Sequence, residues 1–237
     1  MNSIYLLNND LRLHDNEALT EACKSEQLIF VHLTPDESFS SYRKNFIYQC
    51  LLDFQNQLLK HDQKVYLINS ISCLNEVNVD CVITSKVFHW PENQDLKKHC
   101  RENGIQLKTF SQSTMYKKHQ LNFLNDSFPK SFSSFRRKVE KLSPEVSTVN
   151  CENFKLPTQF KVSTSFKPLK ETLSLGEKNP NFTGGETQAL DRLKHYIWST
   201  NSIKTYKETR NGLVQFDDSS KLSPWLATGC LSARKVY

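Results

Sequence analysis

Glycine and proline are scarce, 6 and 8 of 237 residues. That excludes a collagen-like chain and a Pro/Gly-rich disordered one. No apolar run approaches the roughly 18 residues of a membrane-spanning helix. The opening stretch MNSIYLLNNDLRLHDN lacks the basic start, long apolar stretch and small-residue cleavage site of a secretory leader. The expected compartment is the cytosol or nucleus, with an organelle address read by a receptor left open. No CxxC pair occurs, and the seven cysteines (Cys23, Cys50, Cys73, Cys81, Cys100, Cys151 and Cys230) are odd in number. Neither a disulfide framework nor a zinc site is expected, and the thiols read as small buried groups in a reducing compartment. The GxGxxG fingerprint and the P-loop are both absent. No Ser/His/Asp, Cys/His or metal-ligand constellation stands out, so no catalytic and no metal-binding residue is expected in this chain.

What is present is an uneven charge. Residues 1–110 hold 11 Lys/Arg against 14 Asp/Glu, a net −3, whereas residues 111–237 hold 20 against 11, a net +9. The second half either meets something anionic, such as phosphate, nucleotide or nucleic acid, or presents a solvated basic surface without a partner.

The length suffices for one large domain or two small ones. Short apolar runs at Ile4–Leu7, Leu28–Leu33, Val65–Ile68, Cys81–Thr84 and Gln106–Phe110 read as strands buried on both faces. Between them, Phe46, Leu51, Leu52, Phe54, Leu58 and Leu59 carry helical spacing, and residues 92–103 end in Asn103-Gly104, a helix stop. Five strands with intervening helices predict an α/β fold, a doubly wound, Rossmann-like parallel five-stranded sheet. The predicted division is an α/β domain over 1–125, a long interdomain linker over 126–183, and the beginning of an all-helical domain over 184–237. A short helix is expected around Phe135–Leu142 and another over Ser202–Glu208. From Gly184 the apolar stripe Leu190, Leu193 and Ile197 follows Glu186, a carboxylate suited to a first helical turn.

Three clusters carry candidate chemistry. Ser219, Ser220, Lys221, Leu222 and Ser223 precede Pro224, with Ser223 placed as an N-cap and Pro224 at the first helical position. Hydroxyls and an ammonium beside a helix N-terminus make either a phosphate cradle or an ordinary capped helix after a polar turn. Tyr206 and Arg210 stand four apart, so they share a helix face and could hold a ring and a phosphate, or simply stack. Arg12, His14 and Asp15 follow the first strand, at the sheet end where ligands bind in doubly wound folds, although Asp15 also suits a helix cap.

These residues resemble a family. Leu11-Arg12-Leu13-His14-Asp15-Asn16-Glu17-Ala18-Leu19 is similar to the segment that opens photolyases and cryptochromes. Thr183-Gly184-Gly185-Glu186-Thr187, then Tyr206-Lys207-Glu208-Thr209-Arg210-Asn211-Gly212-Leu213, then Ser219 through Ala227, resemble the start of that family's flavin domain. Their order and spacing resemble the DASH cryptochromes, as do Ser113–Tyr116 and Phe135–Glu140. The resemblance implies an FAD protein that absorbs blue light, in which reduced flavin donates an electron to a cyclobutane pyrimidine dimer, mostly in single-stranded DNA. It implies FAD contacts at Tyr206, Ser219, Ser220, Lys221, Leu222 and Ser223, and a DNA-phosphate contact at Arg210. The cofactor would carry the redox chemistry, and the lesion must leave the base stack to reach it.

Two departures from the family pattern stand out. Asn8-Asn9 replace a basic pair before Asp10, which predicts a lost interdomain or surface charge contact. In Val87-Phe88-His89-Trp90-Pro91, Trp90 stands where folate-binding members carry a glutamate, which counts against a 5,10-methenyltetrahydrofolate antenna. The family's helical domain also continues well past the position of Tyr237 and there supplies most of the flavin pocket. The expectation is a fragment or truncated product of a deoxyribodipyrimidine photo-lyase that binds FAD weakly or not at all by itself. The alternatives are a non-enzymatic blue-light sensor acting through partner proteins and a degenerate nucleic-acid-binding module.

Overall fold

The computed structural model describes residues 1–86, 90–145, 156–170, 179–212 and 214–237, without side chains for residues 90–93 and 126. The five expected strands all form: Asn2–Leu7 (β1), Gln27–Leu33 (β2), Val65–Ile68 (β3), Cys81–Ser85 (β4) and Gln106–Phe110 (β5). They pair in parallel in the order β5-β4-β1-β2-β3. A sixth strand, Lys167–Pro168 (β6), pairs antiparallel with β3 at the edge, so the sheet is six-stranded and mixed rather than five-stranded and parallel. Two residues carry no periodicity to read, and a proline is tolerated on an edge strand because its missing N–H is not needed there.

Alternation along each strand sends neighbouring side chains to opposite faces. Tyr5 and Leu7 of β1 join Phe30 on one face, and Ile4 and Leu6 join Ile29 and Val31 on the other. Helix α1 (Glu17–Ala22) begins at Asn16, whose side chain accepts from the Leu19 N–H at 2.9 Å. Helix α2 (Ser41–Leu59), capped by Ser40, drives Leu51, Phe54 and Leu58 into the first face. Helix α3 (Trp90–Glu102) stops before Gly104, whose φ of +67° suits a residue without Cβ. Its Leu96 and Cys100 cover the second face.

The described parts of 126–183 do more than cross the molecule. Thr158 bridges Gln27, β6 extends the sheet, and Phe160 and Phe166 complete the second-face core. Before them lie two short helices, α4 (Phe123–Asp126) and α5 (Phe132–Val139), the latter three residues earlier than its sequence pattern suggests because Ser131 caps it.

The last segment contains α6 (Glu186–Lys194), a π-turn over His195–Ser199, α7 (Tyr206–Thr209), α8 (Ser223–Ala227) and α9 (Ala233–Val236). The expected single helix over Ser202–Glu208 is instead a 3-10 turn, Ser202–Thr205, followed by the one-turn α7. Ala189, Leu193, Leu222, Trp225 and Leu231 enter the same core as α2. Trp225 lies 6.1 Å from the Phe46 ring and 5.7 Å from Phe182, and its indole N–H donates to the Thr183 carbonyl at 2.9 Å. A buried Trp with its donor satisfied contributes on the order of 2–3 kcal/mol to this docking.

Candidate functional site

Beyond β1 the chain enters a buried polar network centred on Asp10. The Asp10 carboxylate accepts from the Tyr5 hydroxyl and from the Ser85 hydroxyl, both at 2.6 Å, and from the Asn8 N–H at 2.8 Å. Burial and the Asp10 charge push the Tyr5 phenol well above its usual range, so it stays a donor. Gln112 completes the network: its amide donates to Ser85 and Asn16, and its carbonyl oxygen accepts the Glu17 N–H at 2.8 Å at the start of α1. The Asn8 side chain donates to the Thr84 hydroxyl at 2.8 Å.

Arg12, His14 and Asp15 do not line an open ligand site. Asp15 is not the cap of α1, a role Asn16 takes; it holds a left-handed φ of +44° and is buried. Its carboxylate pairs with Arg234 Nε at 2.8 Å and accepts from the Ser232 hydroxyl. Arg12 is equally buried and donates to the carbonyls of Gly229 (2.8 Å), Asp15 (3.1 Å), His14 (3.1 Å) and Gln112 (3.3 Å). Glu186, in the first turn of α6, reaches back to accept from the Leu13 N–H at 2.7 Å and the His14 N–H at 3.1 Å, and its carboxylate contacts the His14 ring. Burial pushes the Glu186 carboxyl up, but the His14 contact and the two backbone donors outweigh it and hold it below the usual value. The motif after β1 therefore fastens residues 184–237 to the sheet. Gly184 and Gly229 sit at two close approaches of backbone to backbone: a Cβ would overlap the Phe46 carbonyl at the first and the Asn9 carbonyl at the second.

The hydroxyl-rich turn is organised by a residue that the local pattern does not mark. Arg192 of α6, almost fully buried, donates to the carbonyls of Ser220 (2.9 Å), Ser219 (3.0 Å) and Phe216 (3.4 Å) and pairs with Asp217 at 2.5 Å. Its guanidinium also lies 4.4 Å over the Phe216 ring. Arg192 first, and His195 at 3.0 Å, hold the Asp217 carboxyl below its usual range.

With the carbonyls drawn inward, Lys221 takes a left-handed φ of +55° and the chain turns into α8. Ser223 is not the N-cap. It is the first residue of α8, Leu222 holds the cap position without a side-chain bond, and Pro224 is the second residue. The Ser219, Ser220 and Ser223 side chains are thereby left to the surface, whereas the Leu222 side chain is buried in the core. The Thr209 hydroxyl donates to the Asp218 carbonyl at 3.0 Å, tying α7 to this turn. Tyr206 and Arg210 on that helix are exposed, and the buried Tyr196 hydroxyl in the π-turn has no hydrogen-bond partner among the described residues.

The Thr209–Asp218 bond thus joins the segment that carries the exposed Tyr206 and Arg210 to the turn that leads into residues 219–223. Half-exposed hydroxyls, an ammonium and an orphaned phenol suit a ligand with phosphate oxygens. Such groups are of the kind that would hold the diphosphate end of a dinucleotide.

A cleft elsewhere was not marked by any motif. A cleft of about 1160 Å³ opens at the carboxyl ends of β1, β2 and β3, with Asn8, His32, Thr34, Asp36, Arg43 and Asn69 among its lining. His32 Nδ1 is shut off from water and has no hydrogen-bond partner among the described residues, and burial lowers the ring pKa to about 4. Residues 87–89, and the side chains of Trp90 and Pro91, lie outside the described residues, and with them the expectation about a folate antenna. Among the described residues no metal-ligand cluster occurs and no helix is long and apolar enough to cross a membrane.

A family model described as DNA photolyase matches residues 3–153. Cryptochrome DASH of Danio rerio is 33% identical over 99% of this chain and 51% of its own length. The chloroplastic/mitochondrial cryptochrome DASH of Solanum lycopersicum is 31% identical over 99% of this chain and 48% of its own. The crystal structure of the Synechocystis cryptochrome superposes with a TM-score of 0.84 at 28% identity, covering 100% of this chain and 55% of that one. The chain spans about half the length of the curated relatives it matches.

Proposed function

The chain belongs to the photolyase/cryptochrome family, and from that premise we propose that it carries the N-terminal half of a DASH-type, FAD-dependent photolyase acting on cyclobutane pyrimidine dimers in single-stranded DNA. In this reading residues 1–125 are the α/β domain, 126–183 connect, and 184–237 begin the helical FAD-binding domain. The observation that carries it is the Arg192-held turn: Arg192 anchors the carbonyls of Ser219 and Ser220 and the Asp217 carboxylate, and the Thr209–Asp218 bond ties the segment bearing Tyr206 and Arg210 to it.

When bound, the flavin would supply light absorption and the single electron that opens the dimer. The chain's own residues do the holding. Ser219, Ser220 and Ser223 offer hydroxyl donors to phosphate oxygens, Lys221 offers positive charge, and Leu222 can contribute only its backbone. Tyr206 supplies an aromatic edge. Arg210, exposed and cationic, suits a DNA phosphate that approaches the same surface. In this reading these residues supply part of the flavin pocket, so the chain alone should hold FAD weakly.

The test is a titration of this chain with FAD, ADP and riboflavin. FAD and ADP should bind weakly and riboflavin should not, and Ser220→Ala with Lys221→Ala should weaken FAD at least fivefold. A FAD affinity unmoved by those changes, or equal to that for riboflavin, overturns the diphosphate assignment. Activity is tested on a chain extended to the length of its relatives, by light-driven repair of a thymine dimer in a single strand. Flavin bound without repair turns the conclusion towards light sensing.

A further inference from the structure

Residues 128–141 carry five Lys/Arg (Lys130, Arg136, Arg137, Lys138 and Lys141) against a single acidic residue, Glu140. The inner side of α5 is spent on packing. Phe135 lies 6.3 Å from the Phe123 ring, Val139 is buried, and its carbonyl accepts from the Tyr116 hydroxyl at 3.0 Å. The outer side is left to solvent.

Phe128 and Phe132 are 78% and 76% exposed, and no other described phenylalanine is exposed at all to this degree. Rings held in water forgo the stabilisation that burial would give them, so a partner that covers them gains it. Arg136, one helical turn after Phe132, is tied to Glu140 at 2.5 Å, and Lys138 lies 4.9 Å over the Phe123 ring. Among the described residues Lys130, Arg137 and Lys141 have no carboxylate within ion-pairing distance. Exposed flat rings and unpaired cations therefore share one short stretch.

An apolar peptide groove would need several aliphatic neighbours around the rings, and the sequence neighbours here are Ser127, Pro129, Lys130, Ser131 and Ser133, with Pro129 alone aliphatic. Stacked bases and a phosphate backbone match both halves of the surface: every base offers a π-face, and the backbone offers regularly spaced negative charge.

We propose that the outer face of α5 and the loop before it form a single-strand nucleic-acid contact. Bases stack on Phe128 and Phe132, and Lys130, Arg137 and Lys141 track the phosphates. The contact needs no lesion and no flavin, and it stands apart from Arg210 and the 219–223 turn.

The probe is an undamaged, end-labelled sixteen-nucleotide oligothymidine, read by fluorescence anisotropy on the chain as it exists. The same sequence as a duplex, heparin, and vesicles containing phosphatidylserine are measured beside it. Phe128→Ala with Phe132→Ala should weaken the single strand at least tenfold and leave the duplex within twofold, because stacked duplex bases cannot reach the rings. Lys130→Gln with Arg137→Gln and Lys141→Gln should flatten the salt dependence of single-strand binding. All five side chains are exposed, and unchanged circular dichroism checks the fold. No loss on the single strand, or an equal loss on the duplex, overturns the proposal. So does heparin binding as tight as that of the strand, which means charge alone, or tighter vesicle binding that vanishes with the phenylalanine pair, which means a membrane surface.

Discussion

Asp15 and Arg234, 219 positions apart in the chain, form an ion pair at 2.8 Å with both side chains withdrawn from water. A buried carboxylate costs several kcal/mol to desolvate, and here the cost is offset by Arg234 and the Ser232 hydroxyl together. Removing one partner leaves the other charge stranded. Asp15→Ala should therefore destabilise the fold by about 3–5 kcal/mol. Replacing both charges by apolar groups, Asp15→Leu with Arg234→Met, should cost clearly less than the single change. Chemical denaturation of the three proteins checks this; a double variant as unstable as Asp15→Ala would show that packing, not charge, fixes the contact.

Gly229 meets two demands at once. Its φ is +70°, which favours glycine, and its missing side chain lets the Asn9 carbonyl approach the last segment. Gly229→Ala should loosen the docking of residues 184–237 more than it disturbs the sheet. Hydrogen exchange read by peptide should show faster exchange in α8 and α9, with β1, β2 and β4 unchanged.

Acid should destabilise the protein in two windows. The His32 ring titrates at about 4 in the folded chain because burial disfavours its charged form, against 6.5 for the ordinary group. A base whose folded pKa is depressed binds protons more readily when unfolded, so stability falls as pH drops from 6.5 to 4 and is flat below. The shift corresponds to at most about 3 kcal/mol. Glu186 acts in a lower range. Its folded pKa lies below the ordinary 4.5, so its contribution is complete above that value and is lost as pH falls through the folded one. Denaturation midpoints between pH 3 and 8 should show both, and His32→Leu should flatten the upper window alone.

Much of the frame is legible in the sequence because it is local. The strand at Val65–Ile68 and the stripe of α2 announce themselves by which neighbours are apolar; the strand forms over those four residues, and of the stripe Leu51, Phe54 and Leu58 are buried, Phe46 and Leu52 partly so, and Leu59 is exposed. Asp15, Arg12, Glu186 and Arg192 are not legible in that way. A buried charge and a solvated one look alike in a sequence, and each of these is buried by a partner far along the chain. Asp15 looks like a helix cap because an acidic residue before an apolar helix usually is one; Asn16, one position later, takes the role and frees Asp15 for Arg234. Gln112 lies just past the last predicted strand and in no cluster that the sequence singles out, yet it closes the network around Asp10.

Arg192 sets the last expectation, because it joins the frame to the candidate site. Its fork reaches three carbonyls and Asp217 at once, and a lysine keeps the charge but cannot span that set. Arg192→Lys should leave the sheet intact and release the turn, since the groups that lose a donor, three carbonyls and the Asp217 carboxylate, all lie in residues 216–220. A buried guanidinium with four acceptors stabilises the fold by about 2–4 kcal/mol over a poorly fitting ammonium, so the midpoint should fall even though the net charge is unchanged. Amide exchange at Ser219–Leu222 should rise at least tenfold, and whatever affinity the chain has for ADP should fall in step, although Arg192 itself faces away from the surface hydroxyls. If ADP binding survives while the turn exchanges freely, the turn is not where the diphosphate rests, and the hydroxyls of residues 219–223 are surface groups without a ligand.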